Sequence, residues 1–225
     1  VFTLNTLNSQ NITVSEQQAK PKDFTESRSL IVLYRELLLI ITNDINRAIT
    51  EWTTWASTNA DGRYDIALLK IWIQFEKFIG ELFVSYATGT ASEEGFLPTL
   101  KLHFSSAEHL NAFLREGNRT YVDYPTQIQR LSKHIFENDP FDVIFVDSAT
   151  STAYNQLVAI RNYIAHESGE AKAKMINKCF SGDEKNFKEP NEFLLTKEKE
   201  TKQSYYSYYT NIIRNTAALL VNPPQ

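Results

Sequence analysis

The chain has 225 residues, with 23 Lys and Arg against 27 Asp and Glu for a net charge of −4, and it contains four His and one Cys. One cysteine excludes an intrachain disulfide and the usual Cys/His zinc cages, and only seven Gly and seven Pro disfavour a sandwich or barrel built on many tight turns. The acidic balance argues against a surface that is basic all over. These counts favour a mostly helical domain large enough to bury a core.

The N-terminal residues differ in composition from the rest. Residues 1–24 are polar and are expected to form an arm or linker, ahead of a helical domain over 25–221. The longest apolar run, 30–41, is interrupted by Arg35 and Glu36, which rules it out as a membrane span. The N-terminus also lacks the basic and apolar regions of a signal peptide. We therefore expect a cytoplasmic protein that does not enter a membrane.

Apolar residues at three- and four-residue spacing predict two long helices in the first part of the chain. The first covers 30–55, Asp61-Gly62 interrupts the pattern, and the second covers 68–89. Because the break between them is short, we expect the two helices to pack antiparallel.

Residues 90–147 are predicted to be less regular. Short helices are expected at 107–115 and 126–136, and the sequence FDVIFV at 141–146 is compatible with a short strand or with one buried turn of helix.

Helical spacing returns towards the C-terminus. The pattern predicts helices over 150–168, 171–180 and 202–221, with the charged residues 197–202 as the exposed start of the last one. The fold prediction is therefore an all-α, up-and-down helical bundle with an irregular insertion in the middle of the chain.

Among the histidines, only His166 has surroundings that suggest a function. The P-loop, GxGxxG, HExxH, GxSxG and EF-hand motifs are missing, and no metal or other cofactor is expected. His103 and His109 are six residues apart, which does not place two imidazoles on one helix face, and His134 is at the end of a predicted helix. These three are interpreted as solvated or helix-terminal side chains.

The segment that ends at His166 combines an apolar stripe with three polar residues. The stripe consists of Tyr154, Leu157, Val158, Ile164 and Ala165. Arg161 falls in the middle of it, and because an unpaired buried charge is prohibitive, this guanidinium has to meet a carboxylate, a phosphate or a partner subunit. Asn162 precedes His166 by four residues, so its amide is predicted to hold the imidazole.

A purely structural interpretation accounts for the same residues. Arg161 would form an ion pair with Glu76, which is on an otherwise apolar face of the second helix. His166 would be the end of its helix, with Ser168-Gly169 as the stop signal.

Three segments resemble the HEPN superfamily. The sequence RNYIAHES resembles its Arg-x4-6-His motif, in the form with a polar residue directly after the Arg. The sequence KIWIQFEKFIGELFVSYATG resembles its second core helix, and PNEFLLTKE resembles the stretch before the last helix. The likeness follows the order of helices over 30–220, but 90–147 have no counterpart.

The resemblance implies an α-helical bundle that forms a homodimer with the two motifs facing each other. Many members are metal-independent endoribonucleases of toxin–antitoxin or antiviral systems, and others are inactive modules. Carried over to this chain, Arg161 and His166 are the catalytic pair and Asn162 their polar companion. The helical wheel and the local charge add Glu76, Lys172 and Lys174 as candidate substrate-binding residues.

Metal-free RNA cleavage suits these residue types. His exchanges protons near neutral pH and Arg stabilises a phosphorane, while a two-fold dimer supplies the second His that an in-line displacement needs. The expected partners are RNA, a second copy of the chain and an antitoxin or regulatory protein. The alternative is an inactive dimerisation, nucleotide- or RNA-binding, or regulatory module, which the acidic charge favours because a nuclease usually displays a basic groove.

Overall fold

The computed structural model describes residues 43–92, 94–115, 124–145 and 147–223. The predicted arm, 1–24, and residues 30–42 of the predicted first helix lie outside these ranges. The α-helices of the described residues are 43–58 (α1), Tyr64–Ala87 (α2), Ala107–Leu114 (α3), Tyr124–Ile135 (α4), Asp142–Phe145 (α5), Ser148–His166 (α6), Gly169–Cys179 (α7), Pro190–Leu195 (α8) and Tyr205–Val221 (α9).

The prediction of an all-α helical bundle is confirmed. Outside the helices, the described residues contain two isolated bridges and a 3-10 turn at Glu184–Asn186, and no extended strand. None of the described helices combines the length and the apolar character needed to cross a bilayer.

Helix α2 is the centre of the core. Its aromatic residues Phe75, Phe78 and Phe83 are all at most 2% exposed. The Phe83 ring meets Phe136 at 5.8 Å and Phe141 at 5.6 Å between centroids, so it joins α2 to the end of α4 and to the start of α5. These edge-on aromatic contacts connect segments that are far apart in sequence.

Helices α1 and α2 form the antiparallel pair that the sequence predicts. Residues 59–63 connect them, and Gly62 has a φ of +54°, a conformation that glycine adopts without strain. The Lys70 ammonium lies 5.8 Å from the centroid of the Trp52 ring. Lys70 comes six residues after the start of α2 and Trp52 comes six residues before the end of α1, so the two residues are equally far from the turn. The two helices therefore fold back on each other about this turn.

In the middle of the chain, the segment around Thr99 and Leu100 is joined to the end of α4. Leu100 bridges Phe136, and the Glu137 N–H donates to the Thr99 carbonyl at 2.8 Å. Of the two interpretations of 141–146, the structure shows one turn of helix over Asp142–Phe145 with Ile144 buried.

The prediction that 197–202 begin the last helix is wrong. Lys197 bridges Ser204, the backbone of Lys202 is left-handed with a φ of +59°, and α9 begins only at Tyr205. The cause is local, because Glu198 accepts hydrogen bonds from two backbone N–H groups of the following residues and Ser204 caps α9 through the Ser207 N–H.

Candidate functional site

Helix α6 is fixed at both ends, and this determines where His166 lies. At its start, the Asp147 side chain accepts from the Thr150 N–H at 2.7 Å, and this bond lowers the pKa of Asp147. At its end, Glu167 adopts the left-handed conformation with a φ of +47°, and its N–H donates to the Tyr163 carbonyl at 2.8 Å. His166 is thus the last residue of α6, and its side chain is exposed.

Arg161 is bound at both terminal nitrogens of its guanidinium. Nη2 donates to Glu76 Oε2 at 3.1 Å, and Nη1 donates to Asn162 Oδ1 at 2.8 Å. The Arg161 and Glu76 side chains are 33% and 24% exposed. The ion pair of the structural interpretation is therefore present, at the edge of the core rather than inside it.

The apolar stripe of α6 explains this edge position. Tyr154 and Leu157 are buried, Val158 and Ile164 are half-buried, and Ala165 is exposed. Arg161 lies where the stripe leaves the core, so about one third of its side-chain surface reaches solvent. Two of its N–H groups are used by the bonds to Glu76 and Asn162, and the others are available to a phosphate.

Asn162 has a different partner from the one that its spacing predicts. Within the part of the chain that the structure describes, no hydrogen bond joins Asn162 to His166. The amide oxygen instead accepts from the charged guanidinium of the preceding residue, which is the stronger donor. Asn162 therefore orients Arg161 rather than the imidazole.

The two lysines predicted to bind substrate are already beside carboxylates. Lys174 lies 2.6 Å from Glu170 on the same exposed face of α7. The Lys172 ammonium lies 4.3 Å from the centroid of the Phe187 ring and 3.9 Å from Glu189. Both charges are therefore partly compensated within the chain.

Sequence reasoning missed a cleft of about 480 Å³ beside the end of α6. Arg63 at its wall is held by Asp65 through two bonds of 3.0 and 2.9 Å, and the Tyr163 hydroxyl donates to Glu189 at 3.2 Å. Glu167 lines the same cleft, which thus contains three carboxylates and one guanidinium. No sequence spacing indicated it, because its walls come from the ends of three helices that are distant in the chain.

A larger cavity, of about 810 Å³, lies elsewhere and contains none of the predicted site residues. Asp139 lines it, and burial raises the pKa of this carboxyl. Both of its oxygens are occupied, one by the Ser132 hydroxyl at 2.5 Å and the other by the Phe141 N–H at 2.9 Å. Asp139 therefore has a structural role, which is to hold the start of α5 against α4.

The remaining chemical groups of the described residues form no second centre. No group of three or more His, Cys, Asp and Glu side chains in these ranges is close enough together to hold a metal ion. Burial raises the pKa of the Cys179 thiol to about 12, so it is not a nucleophile near neutral pH.

Comparisons of the chain with protein-family models, with curated proteins and with solved structures found no match. A functional assignment therefore depends on the geometry at the end of α6 and on the chemistry of its residues.

Proposed function

We propose that the protein is a metal-independent endoribonuclease of the HEPN type. It acts as a homodimer, leaves 2′,3′-cyclic phosphate and 5′-hydroxyl ends, and serves as a toxin or an antiviral-defence component. The observation that carries the proposal is the pairing, on one helix, of an Arg161 side chain that is 33% exposed at the edge of the core with an exposed His166 side chain at the helix end. The resemblance of RNYIAHES to the Arg-x4-6-His motif supports the same assignment.

The proposed reaction is an in-line transesterification at phosphorus. A base removes the proton of the 2′-hydroxyl, the 2′-oxygen attacks the phosphorus, and the bond to the 5′-oxygen breaks as an acid protonates that oxygen. Arg161 stabilises the charge that develops on the non-bridging oxygens. His166 of one subunit acts as the base and His166 of the second copy acts as the acid, because one imidazole cannot be on both sides of the phosphorus.

A second candidate function has an observation of its own. The charge of Arg161 is balanced by Glu76, and Lys172 and Lys174 each lie beside a glutamate, within a chain of net charge −4. A nuclease usually displays a basic groove for RNA, and these paired cations do not form one. An inactive HEPN-type module that binds a nucleotide, RNA or a protein partner does not require such a groove.

The experiment that separates the two functions is RNA cleavage in EDTA. Single-stranded and structured RNA are incubated with the wild type, with Arg161→Ala and with His166→Ala, and the ends of the products are identified. His134→Ala is the matched control, because His134 is also exposed near the end of a helix but has no proposed role. We expect each site variant to lose about 10²- to 10⁴-fold in rate and the control to retain the wild-type rate.

Cleavage that persists in both site variants, or that stops in EDTA, contradicts the proposed reaction. A wild-type protein that binds RNA without cutting it supports the inactive module instead.

A further inference from the structure

We propose that Glu76 is a positioning residue that fixes the guanidinium of Arg161, and that it does not itself bind RNA. This inference rests on the proposed ribonuclease function. It also gives Glu76 a different role from that of a substrate-binding residue, which the sequence suggests.

The backbone that carries Glu76 is among the most firmly packed parts of the molecule. Its neighbours Phe75 and Phe78 are both 2% exposed, and Trp72, one turn earlier on α2, is fully buried. The Glu76 side chain itself is only 24% exposed. An acceptor on such a backbone has a well-defined position, whereas one on an exposed loop does not.

The bond to Glu76 and the bond to Asn162 act together on one planar group. They engage opposite terminal nitrogens of Arg161, from α2 and from α6. Rotation of the guanidinium about its Cζ–Nε bond breaks both at once. The long and flexible Arg161 side chain is therefore already ordered before the substrate binds. The entropy cost of ordering it then does not add to the activation free energy.

Electrostatics argue against direct contact between Glu76 and RNA. A carboxylate beside a phosphate is repelled, and Glu76 lies 3.1 Å from the one guanidinium that is proposed to bind the phosphate. Its negative charge therefore weakens the attraction of Arg161 for RNA in the ground state. A positioning residue with this charge raises the turnover number without improving substrate affinity.

A positioning role for Glu76 predicts that its removal lowers kcat and does not raise KM. In Glu76→Ala, we expect kcat to fall by about 10- to 100-fold because Arg161 loses its fixed geometry, while KM stays equal or decreases. Glu76→Gln keeps an acceptor of the same shape and is expected to recover part of kcat. The control is Glu81→Ala, since Glu81 is on the same helix and pairs only loosely with Lys77, at 3.7 Å.

A second measurement does not depend on RNA cleavage. Nitrogen-15 NMR of arginine side chains reports how fast a guanidinium rotates, and loss of a signal in Arg161→Lys identifies the resonances of Arg161. We expect slow rotation with separate Nη signals in the wild type and in Glu81→Ala. In Glu76→Ala we expect a single averaged signal.

Two results would overturn the proposal. One is a KM that rises in Glu76→Ala while kcat is unchanged, which would indicate direct binding of RNA by Glu76. The other is Arg161 rotating equally slowly with and without Glu76. If the wild type cuts no RNA, the ribonuclease function fails, and the NMR experiment still decides whether Glu76 holds Arg161. If Glu76→Ala does not fold, Glu76→Leu replaces it in both measurements, because leucine keeps side-chain volume and removes the acceptor.

Discussion

The hydrogen-bond partner of a polar side chain on a helix depends on the nearest charged group as well as on the four-residue spacing of the helix. A helical wheel correctly placed Glu76 within reach of Arg161, because both residues interrupt apolar faces that have to meet. The wheel also suggested that Asn162 would hold His166. It gave the wrong partner because a guanidinium on the adjacent residue donates more strongly than an imidazole one turn away.

The Cys179 thiol should be unreactive in the folded protein. With a pKa of about 12, the thiol stays almost entirely protonated at pH 9, where a free cysteine is mostly thiolate. We expect a thiol reagent at pH 8 to label Cys179 only after unfolding in guanidinium, as followed by absorbance. Rapid labelling of the native protein would show that the sulfur is accessible.

The same raised pKa has a consequence for stability at high pH. Between the unfolded pKa of about 8.5 and the folded pKa of about 12, the unfolded chain binds fewer protons than the folded one, so the free energy of unfolding decreases as pH rises. Burial likewise raises the pKa of Tyr206 and Tyr209. Thermal melts above pH 9 should show a falling Tm, and the fall should be smaller in Tyr209→Phe.

At the scale of the elements, periodicity predicted where helices exist, and capping decided where they end. The spacing of apolar residues was sufficient for α2, α6 and α7. It was insufficient for the start of α9, because charged residues are compatible with both a helix and a loop and the choice depends on the Glu198 and Ser204 hydrogen bonds. Short, Pro-initiated α8 offered too few residues for a periodic signal.

The cap of α7 can be tested directly. Ser168 accepts from the Ala171 N–H at 3.2 Å, immediately after the left-handed Glu167 that ends α6. Ser168→Ala should lower the free energy of unfolding by about 1 kcal/mol, measured by urea denaturation. Ser57→Ala is the control, since Ser57 is in the last turn of α1 and caps no helix start, and its effect should be close to zero. Equal effects of the two substitutions would show that the cap does not stabilise the turn.

At the scale of the whole molecule, one helix organises a single core. Among the helices that the structure describes, α2 contributes the largest set of buried aromatic residues, and its partners come from both the middle and the end of the chain. The sequence predicted that α2 is amphipathic, but it did not predict how residues 94–106 attach to the end of α4. The Leu100–Phe136 bridge depends on a pairing between segments that share no local pattern.

Removing one ring from this core should be costly. Phe83 is fully buried between two other phenylalanines, so Phe83→Ala leaves a cavity and should lower the free energy of unfolding by about 3 to 5 kcal/mol. Ile73 on the same helix is 44% exposed, and Ile73→Ala should change the free energy of unfolding by less than about 0.5 kcal/mol. Chemical denaturation of both variants gives the comparison, and a similar loss in each would contradict the central position of Phe83.

The close turn between α6 and α7 also has a consequence for the order of folding. The Gln156 side chain donates to the Lys178 carbonyl across this hairpin, over a sequence separation of 22, whereas the Tyr86 hydroxyl reaches the Leu220 carbonyl over 134. Contacts between residues that are close in sequence cost less loop entropy and form faster. We therefore expect the α6–α7 hairpin to assemble early and α9 to dock late, so that the end of α6 acquires its shape before the chain has closed around α2.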